Sequence, residues 1–299
     1  MKTDIENIFK AFEPRHAEND THKDRSIGAT LIDAGKLTLE GAERILRLQK
    51  AEGIRFGEAA VKLGLVSEAD IQQVLSRQFD YPYLMTGEAL VSEEIIAAYK
   101  PFSSQVEALR ALRSQLMLRW FSTELERKAL AIVSPVRGEG RSFIAANLAV
   151  VFSQLGEHTL LIDADMRNPR QHKLFGLENR VGLSAILSGR GEVSAIERIP
   201  SLIDLSVLPA GAVPPNPQEL ISRPIFSQLM EELSREFDII IIDTPAGENY
   251  ADAQTLATRA GGALVVAHKN TSRLRATRRL VNALTQASVV VVGTALNEF

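Results

Sequence analysis

Three short apolar runs constrain this chain most: KALAIVS (128–134), HTLLIDAD (158–165) and FDIIIIDTP (237–245), each ending in small or acidic residues. Apolar runs of this length read as strands buried on both faces, as in parallel sheets covered by helices. Further runs, LIDLSVLP, GGALVVAHK and ASVVVVGTAL, alternate with helical stretches such as PQELISRPIFSQLMEELSREF. The alternation predicts an α/β fold, a mostly parallel sheet with helices on both faces.

What stands at the ends of these strands carries chemistry. The stretch SPVRGEGRSF (134–143) lies between the first strand and the helical SFIAANLAVVFSQLG (142–156). It approaches the phosphate-loop pattern G-x-x-x-x-G-K-[ST], with Pro135 at the first glycine and Arg141 at the lysine. Gly138 and Gly140 let successive N–H groups point at one anion, and the helix N-terminus adds partial positive charge. Ser142 can reach a Mg²⁺ ion. Asp163 and Asp165 end the second run and Asp243 the third, at the carboxyl ends of strands where ligands bind in such sheets. A single strand-ending Asp is often a cap for the next element. The four positions together point to a nucleotide site. Arginine keeps the lysine's charge and can grip two phosphate oxygens, but it is bulkier.

The front of the chain is duplicated. SIGATLIDAGKLTLEGAERILRLQK (26–50) aligns with RFGEAAVKLGLVSEADIQQVLSRQF (55–79) at a constant offset of 29, pairing Gly28 with Gly57, Gly35 with Gly64 and Gln49 with Gln78. Each copy reads as a short helix, a glycine turn and a longer helix capped by Thr38 or Ser67. This predicts a small, mainly helical N-terminal domain. The expected organisation is a tail over 1–22, the repeat domain over 23–85, a linker over 86–103 and the α/β domain over 104–299.

In SQVEALRALRSQLMLRWF (104–121), Leu109, Leu112, Leu116 and Trp120 recur at helical spacing. Glu107, Arg110 and Arg113 stand three apart and share one face, either a solvated stripe or a contact surface. Arg273, Arg275, Arg278 and Arg279 read as a solvated helix face or a dock for an acidic partner.

Several classes are excluded. There is no cysteine, so disulfides and thiol chemistry are absent, and the five histidines lack ligand spacing. A net charge of −3 gives no nucleic-acid character. No apolar run reaches the ~18 residues of a membrane span. MKTDIENIFKAFEPRHAEND is too polar and acidic for a signal peptide, so the expected location is cytoplasmic.

The motifs GEGRS, LLIDADMR and DIIIIDTP resemble, in order and spacing, the Walker A, A′ and B motifs of bacterial tyrosine kinases, a P-loop NTPase family; PPNPQEL and VVGTALNEF are also alike. The resemblance covers about 104–299. It implies that Gly138, Glu139, Gly140, Arg141, Ser142 and Phe143 wrap the phosphates of ATP. It also implies that Ser142, Asp163 and Asp243 hold Mg²⁺, that Arg141 and Asp165 are catalytic, with Asp165 as base for a tyrosine hydroxyl, and that Glu107, Arg110 and Arg113 form an oligomerisation motif. Residues 23–85 resemble the MshEN module of type II secretion and pilus ATPases, some of which bind cyclic di-GMP; Arg25 and Arg55 are the matching arginines. The combination resembles the EpsG type of chain-length-determinant kinase in exopolysaccharide export. It implies a homo-oligomer at the inner face of the membrane, tethered by an integral-membrane partner. The kinases usually end in a tyrosine-rich tail, whereas the tyrosines here are Tyr81, Tyr83, Tyr99 and Tyr250. The alternatives are an acceptor tyrosine elsewhere, a non-catalytic switch of the MinD/ParA-like class, or a cyclic di-GMP-responsive regulator.

Overall fold

The computed structural model describes residues 26–68, 70–71, 74, 84, 90–122, 127–248 and 250–298. The chain divides into two compact units, Met1–Tyr81 and Pro82–Phe299.

In the first unit the helices Ile27–Asp33, Leu39–Glu52 and Phe56–Lys62 follow the duplicated pattern. Equivalent positions behave alike. Gly35 and Gly64 both take the left-handed conformation, with φ of 69° and 65°, which glycine adopts without a Cβ clash. The Thr38 hydroxyl accepts from the Gly41 N–H and the Ser67 hydroxyl from the Asp70 N–H, so both caps form. Leu31, Leu37 and Ile45 of the first copy join Ala60, Val66 and Val74 of the second in one buried cluster. The Gln78 of the pairing with Gln49, together with Arg25, falls outside the described residues.

The second unit is built on a seven-stranded sheet. Its strands are β1 (Ala129–Val133), β2 (Thr159–Asp163), β3 (Glu197–Arg198), β4 (Leu205–Leu208), β5 (Ile239–Asp243), β6 (Gly262–His268) and β7 (Val290–Asn297), in the order β3-β4-β2-β5-β1-β6-β7. All neighbours are parallel except β3, a two-residue antiparallel edge strand too short to show in a periodicity. β1, β2 and β5 are buried throughout, as their continuous apolar runs require. The helix Arg141–Ser153 follows β1 and is buried nearly all round, hence its lack of a polar face. The stretch 217–236 splits into Pro217–Ser222 and Pro224–Glu236. Arg223, before a proline, is extended at ψ 150°.

The expected linker needs correction over its described part. Residues 90–103 belong to the compact second unit. Val91, Ile95, Ala97, Ala98 and Tyr99 are buried in its core, because these apolar side chains have a face of the loop helix to cover. The buried Asn147 of that helix accepts from the Ala97 N–H at 2.9 Å and donates to the Glu94 carbonyl at 3.1 Å. The helix Ser104–Leu116 then leads into a π-turn at Met117–Phe121, where the Trp120 indole donates to the Ala129 carbonyl at 2.9 Å.

Candidate nucleotide site

Sheet register assembles the site. Asp163 and Asp243 are partners at the ends of β2 and β5, and Ile132 of β1 is the partner of Asp243 on its other side. The loop leaving β1 therefore opens directly beside two carboxylates. Gly138 and Gly140 have φ of 85° and 92°, which fold the loop back on itself. Gly140 is the N-cap of Arg141–Ser153 and supplies no side-chain cap, so the orphan N–H groups of the first turn stay open to an anion.

The carboxylates differ in environment. Asp163 Oδ2 accepts from the N–H groups of Arg170 and Gln171, both at 2.9 Å. Asp243 Oδ2 accepts from the Gln171 side-chain amide at 2.7 Å, and that amide also donates to the Ser142 carbonyl at 3.1 Å. The Oδ1 atoms of both aspartates are buried with no partner among the described residues. Burial, and next the charge of Asp243, hold the Asp163 carboxyl well above its ordinary value. Burial pushes Asp243 up to about 6, while Arg141, Gln171 and the Ser142 hydroxyl pull it the other way. Such a pair calls for a cation. Two carboxylates and one hydroxyl are an all-oxygen donor set suited to Mg²⁺, which takes one or two carboxylates and completes its shell with phosphates and water.

Asp165 is turned differently. Its Oδ1 accepts from the N–H groups of Arg167 and Asn168 at 3.2 and 2.9 Å, and its Oδ2 faces Arg141 Nη2 at 3.8 Å. Arg141 itself is only 6% exposed. Its Nε donates to the Thr244 carbonyl at 2.7 Å, and its Nη1 to the Ser134 hydroxyl at 2.6 Å and the Val136 carbonyl at 3.2 Å. The guanidinium thus lies among the ends of β1, β2 and β5, where it offsets the charge of the aspartates.

Residues 126–297 match the ParA family model described as "NUBPL iron-transfer P-loop NTPase". The chain is 36% identical over 199 residues to the putative tyrosine-protein kinase CapB of Staphylococcus aureus, covering 67% of this chain and 86% of that one. It is 34% identical over 204 residues to the tyrosine-protein kinase wzc of Salmonella typhimurium, covering 68% of this chain but only 28% of wzc. The kinase domain of the Escherichia coli tyrosine kinase ETK superposes with a TM-score of 0.65 at 34% identity, covering 68% of this chain and 79% of that domain. The chain belongs to the bacterial tyrosine-kinase family of P-loop NTPases.

Within this tyrosine-kinase fold, sequence reasoning brought Ser142, Asp163, Asp165 and Asp243 to one place. It missed three things. Glu139, expected in the phosphate cradle, is only 2% exposed. Its carboxylate accepts from the Val136 N–H at 2.7 Å and from the Ser272 hydroxyl, and its carbonyl accepts from Asn297 Nδ2 at 3.3 Å. The side chain therefore bolts the loop to the turn after β6, and the main-chain carbonyl ties it to β7. Gln171, which bridges Ser142 and Asp243, carries no motif signal. The stripe Glu107, Arg110 and Arg113 does not present one open face. Arg110 pairs with the exposed Glu107 at 3.0 Å, whereas Arg113 donates to the Val151 carbonyl of the loop helix at 2.7 Å. Phe143 is half-buried against the core, and its carbonyl accepts from Asn147 at 3.0 Å. In the first unit Arg55 is exposed at the start of Phe56–Lys62, and Ser26 caps the equivalent helix of the first copy. No helix among the described residues is long and apolar enough to cross a membrane.

Proposed function

We propose that this chain is a Mg-ATP-binding protein tyrosine kinase that regulates exopolysaccharide chain length from the inner face of the membrane, through an integral-membrane partner. The observation that carries the reading is the register pair Asp163 and Asp243, each with an unpartnered buried oxygen beside an uncapped helix start. Residues 138–143 wrap the phosphates with their N–H groups. Ser142, Asp163 and Asp243 hold Mg²⁺, which when bound neutralises charge on the phosphates. Asp165 keeps Oδ2 for orienting a tyrosine hydroxyl and taking its proton. Phosphoryl transfer asks the protein mainly to position groups and offset charge. Arg141 supplies a fixed positive charge to the phosphates. Glu107, exposed and paired with the half-buried Arg110, forms part of a contact between copies in a homo-oligomer. The duplicated first unit acts as an MshEN-like docking module; a cyclic di-GMP role would rest on Arg55 among the described residues.

A second reading is a non-catalytic nucleotide switch of the MinD/ParA-like class. The ParA match and the three hydrogen bonds that tie Arg141 to the protein favour it. Incubation with Mg-ATP, with and without a Glu-Tyr copolymer, followed by phosphotyrosine mass spectrometry separates the two. Phosphotyrosine supports the kinase. ATP binding without phosphotyrosine supports the switch. No thermal shift at millimolar Mg-ATP overturns both.

A further inference from the structure

Of the tyrosines in this sequence, Tyr81 and Tyr83 fall outside the described residues, and the other two differ sharply. Tyr99 is 8% exposed and its hydroxyl donates to the Val91 carbonyl at 2.5 Å, so it is closed to any phosphate donor. Tyr250 is 46% exposed.

Its position is not incidental. Tyr250 sits on the loop that leaves β5 after Asp243, and that loop is pinned to the start of the phosphate loop by the Gly247 N–H on the Ser134 carbonyl at 3.0 Å. The Tyr250 ring lies over the Arg167 guanidinium, 3.6 Å from the ring centroid. A fixed ring costs less to orient than a mobile one, and the cation–π contact fixes it. Arg167 is held in turn by the buried Asp252, at 2.7 and 3.3 Å, and its own N–H donates to Asp165 Oδ1. One chain of contacts therefore joins the exposed ring to the turn that carries Asp165. Beside the ring opens a cleft of about 230 Å³ lined by Pro135, Gly247, Tyr250 and Arg279, among others. Arg279 is exposed and forms no ion pair among the described residues, so it offers a counter-charge to an anion placed there.

We infer that Tyr250 is a phosphoacceptor of this chain's own kinase activity; the inference rests on the kinase reading above. The Tyr250 Oη–H gives its proton to Asp165 of the site that holds the nucleotide. A bond forms between Oη and the γ-phosphorus of ATP. The bond from that phosphorus to the β,γ-bridging oxygen breaks, and its electron pair leaves with ADP. The product is a phosphotyrosine, with a charge of about −1.5 to −2 at neutral pH, between Arg167 and Arg279.

The test uses the full chain, incubated with Mg-ATP and the Glu-Tyr copolymer and mapped by phosphopeptide mass spectrometry. The expected result is phosphate on the peptide containing Tyr250 and its loss in Tyr250→Phe. Phe keeps the ring on Arg167, so copolymer labelling is expected to stay within about twofold of wild type. Mixing Tyr250→Phe chains with the inactive double variant Asp163→Ala, Asp243→Ala distinguishes the donor. Label on the inactive chain supports transfer between copies, and label at Tyr250 only in unmixed wild type supports transfer within one. A labelled copolymer with an unmodified Tyr250 peptide overturns the inference and leaves the kinase reading standing. No phosphotyrosine on chain or copolymer overturns both.

Discussion

Asp163 and Asp243 face each other as register partners at the ends of β2 and β5, and each keeps one buried carboxylate oxygen without a partner among the described residues. Two like charges so placed disfavour each other and the folded state unless a cation joins them.

Asp243→Asn therefore has opposite effects with and without ligand. The carboxyl's ordinary value of 3.8 is raised to about 6. Its burial cost is absent below pH 3.8, grows between the two values and is full above about 6, so it lowers stability as pH rises through that window. Asparagine removes the charge and can still accept from Gln171. Chemical denaturation at pH 7.5 without Mg²⁺ is expected to show the variant about 1–3 kcal/mol more stable than wild type, with the difference vanishing near pH 4. The Mg²⁺-dependent rise in Tm with ATP is expected to be lost. A variant less stable than wild type at pH 7.5 would contradict the raised value.

Arg141→Ala removes three hydrogen bonds and the charge that faces the aspartates. ATP affinity is expected to fall ten- to a hundredfold, roughly the 1.5–3 kcal/mol of a charge-assisted contact. Tm without nucleotide falls as well, because the Thr244 carbonyl loses its partner. Arg141→Lys keeps the charge on a compact ammonium and is expected to retain binding and raise turnover. Equal ATP titrations for all three chains would show that residue 141 serves only the protein's interior.

Glu139 tests the loop's attachment. Glu139→Ala leaves the Val136 N–H and Ser272 hydroxyl without their acceptor, a loss of about 1–3 kcal/mol by denaturant melts. Hydrogen exchange at residues 136–140 is expected to speed up while exchange in β2 and β5 is unchanged. Uniform exchange rates across the loop in both chains would count against a bolt.

The arginine stripe divides by function. Glu107→Ala with Arg110→Ala removes the ion pair between an exposed Glu107 and a largely covered Arg110, so Tm is expected to fall slightly while light scattering shows a smaller particle if wild type is oligomeric. Arg113→Ala breaks the bond to Val151 and is expected to lower Tm by itself. If the double variant keeps the wild-type mass, Glu107 and Arg110 are only a pair within one chain.

Sequence by itself determined the parallel sheet, the loop between β1 and its helix, and the aspartates at the strand ends. Each of these rests on a short-range signal: an apolar run, a glycine pair, or a charged residue where a run stops. The repeat was equally legible, since Gly35 and Gly64 need the same backbone whatever surrounds them. Tertiary structure decided what the side chains touch. Arg141 reads as a phosphate ligand in the motif, yet beside the local Ser134 and Val136 its partners include Thr244 and Asp165, which follow the ends of β5 and β2. What the Glu139 carboxylate and carbonyl bond is not legible in the motif until Ser272 and Asn297 arrive beside them. Residues 91–99 look like a connector because their five buried side chains are too few and too irregular to show a period. They become core only because the loop helix is apolar on every side and its Asn147 needs backbone partners. A periodic pattern is local and survives in the sequence. The choice of partner depends on which strand ends the sheet order brings together, and that is settled only when the chain has folded.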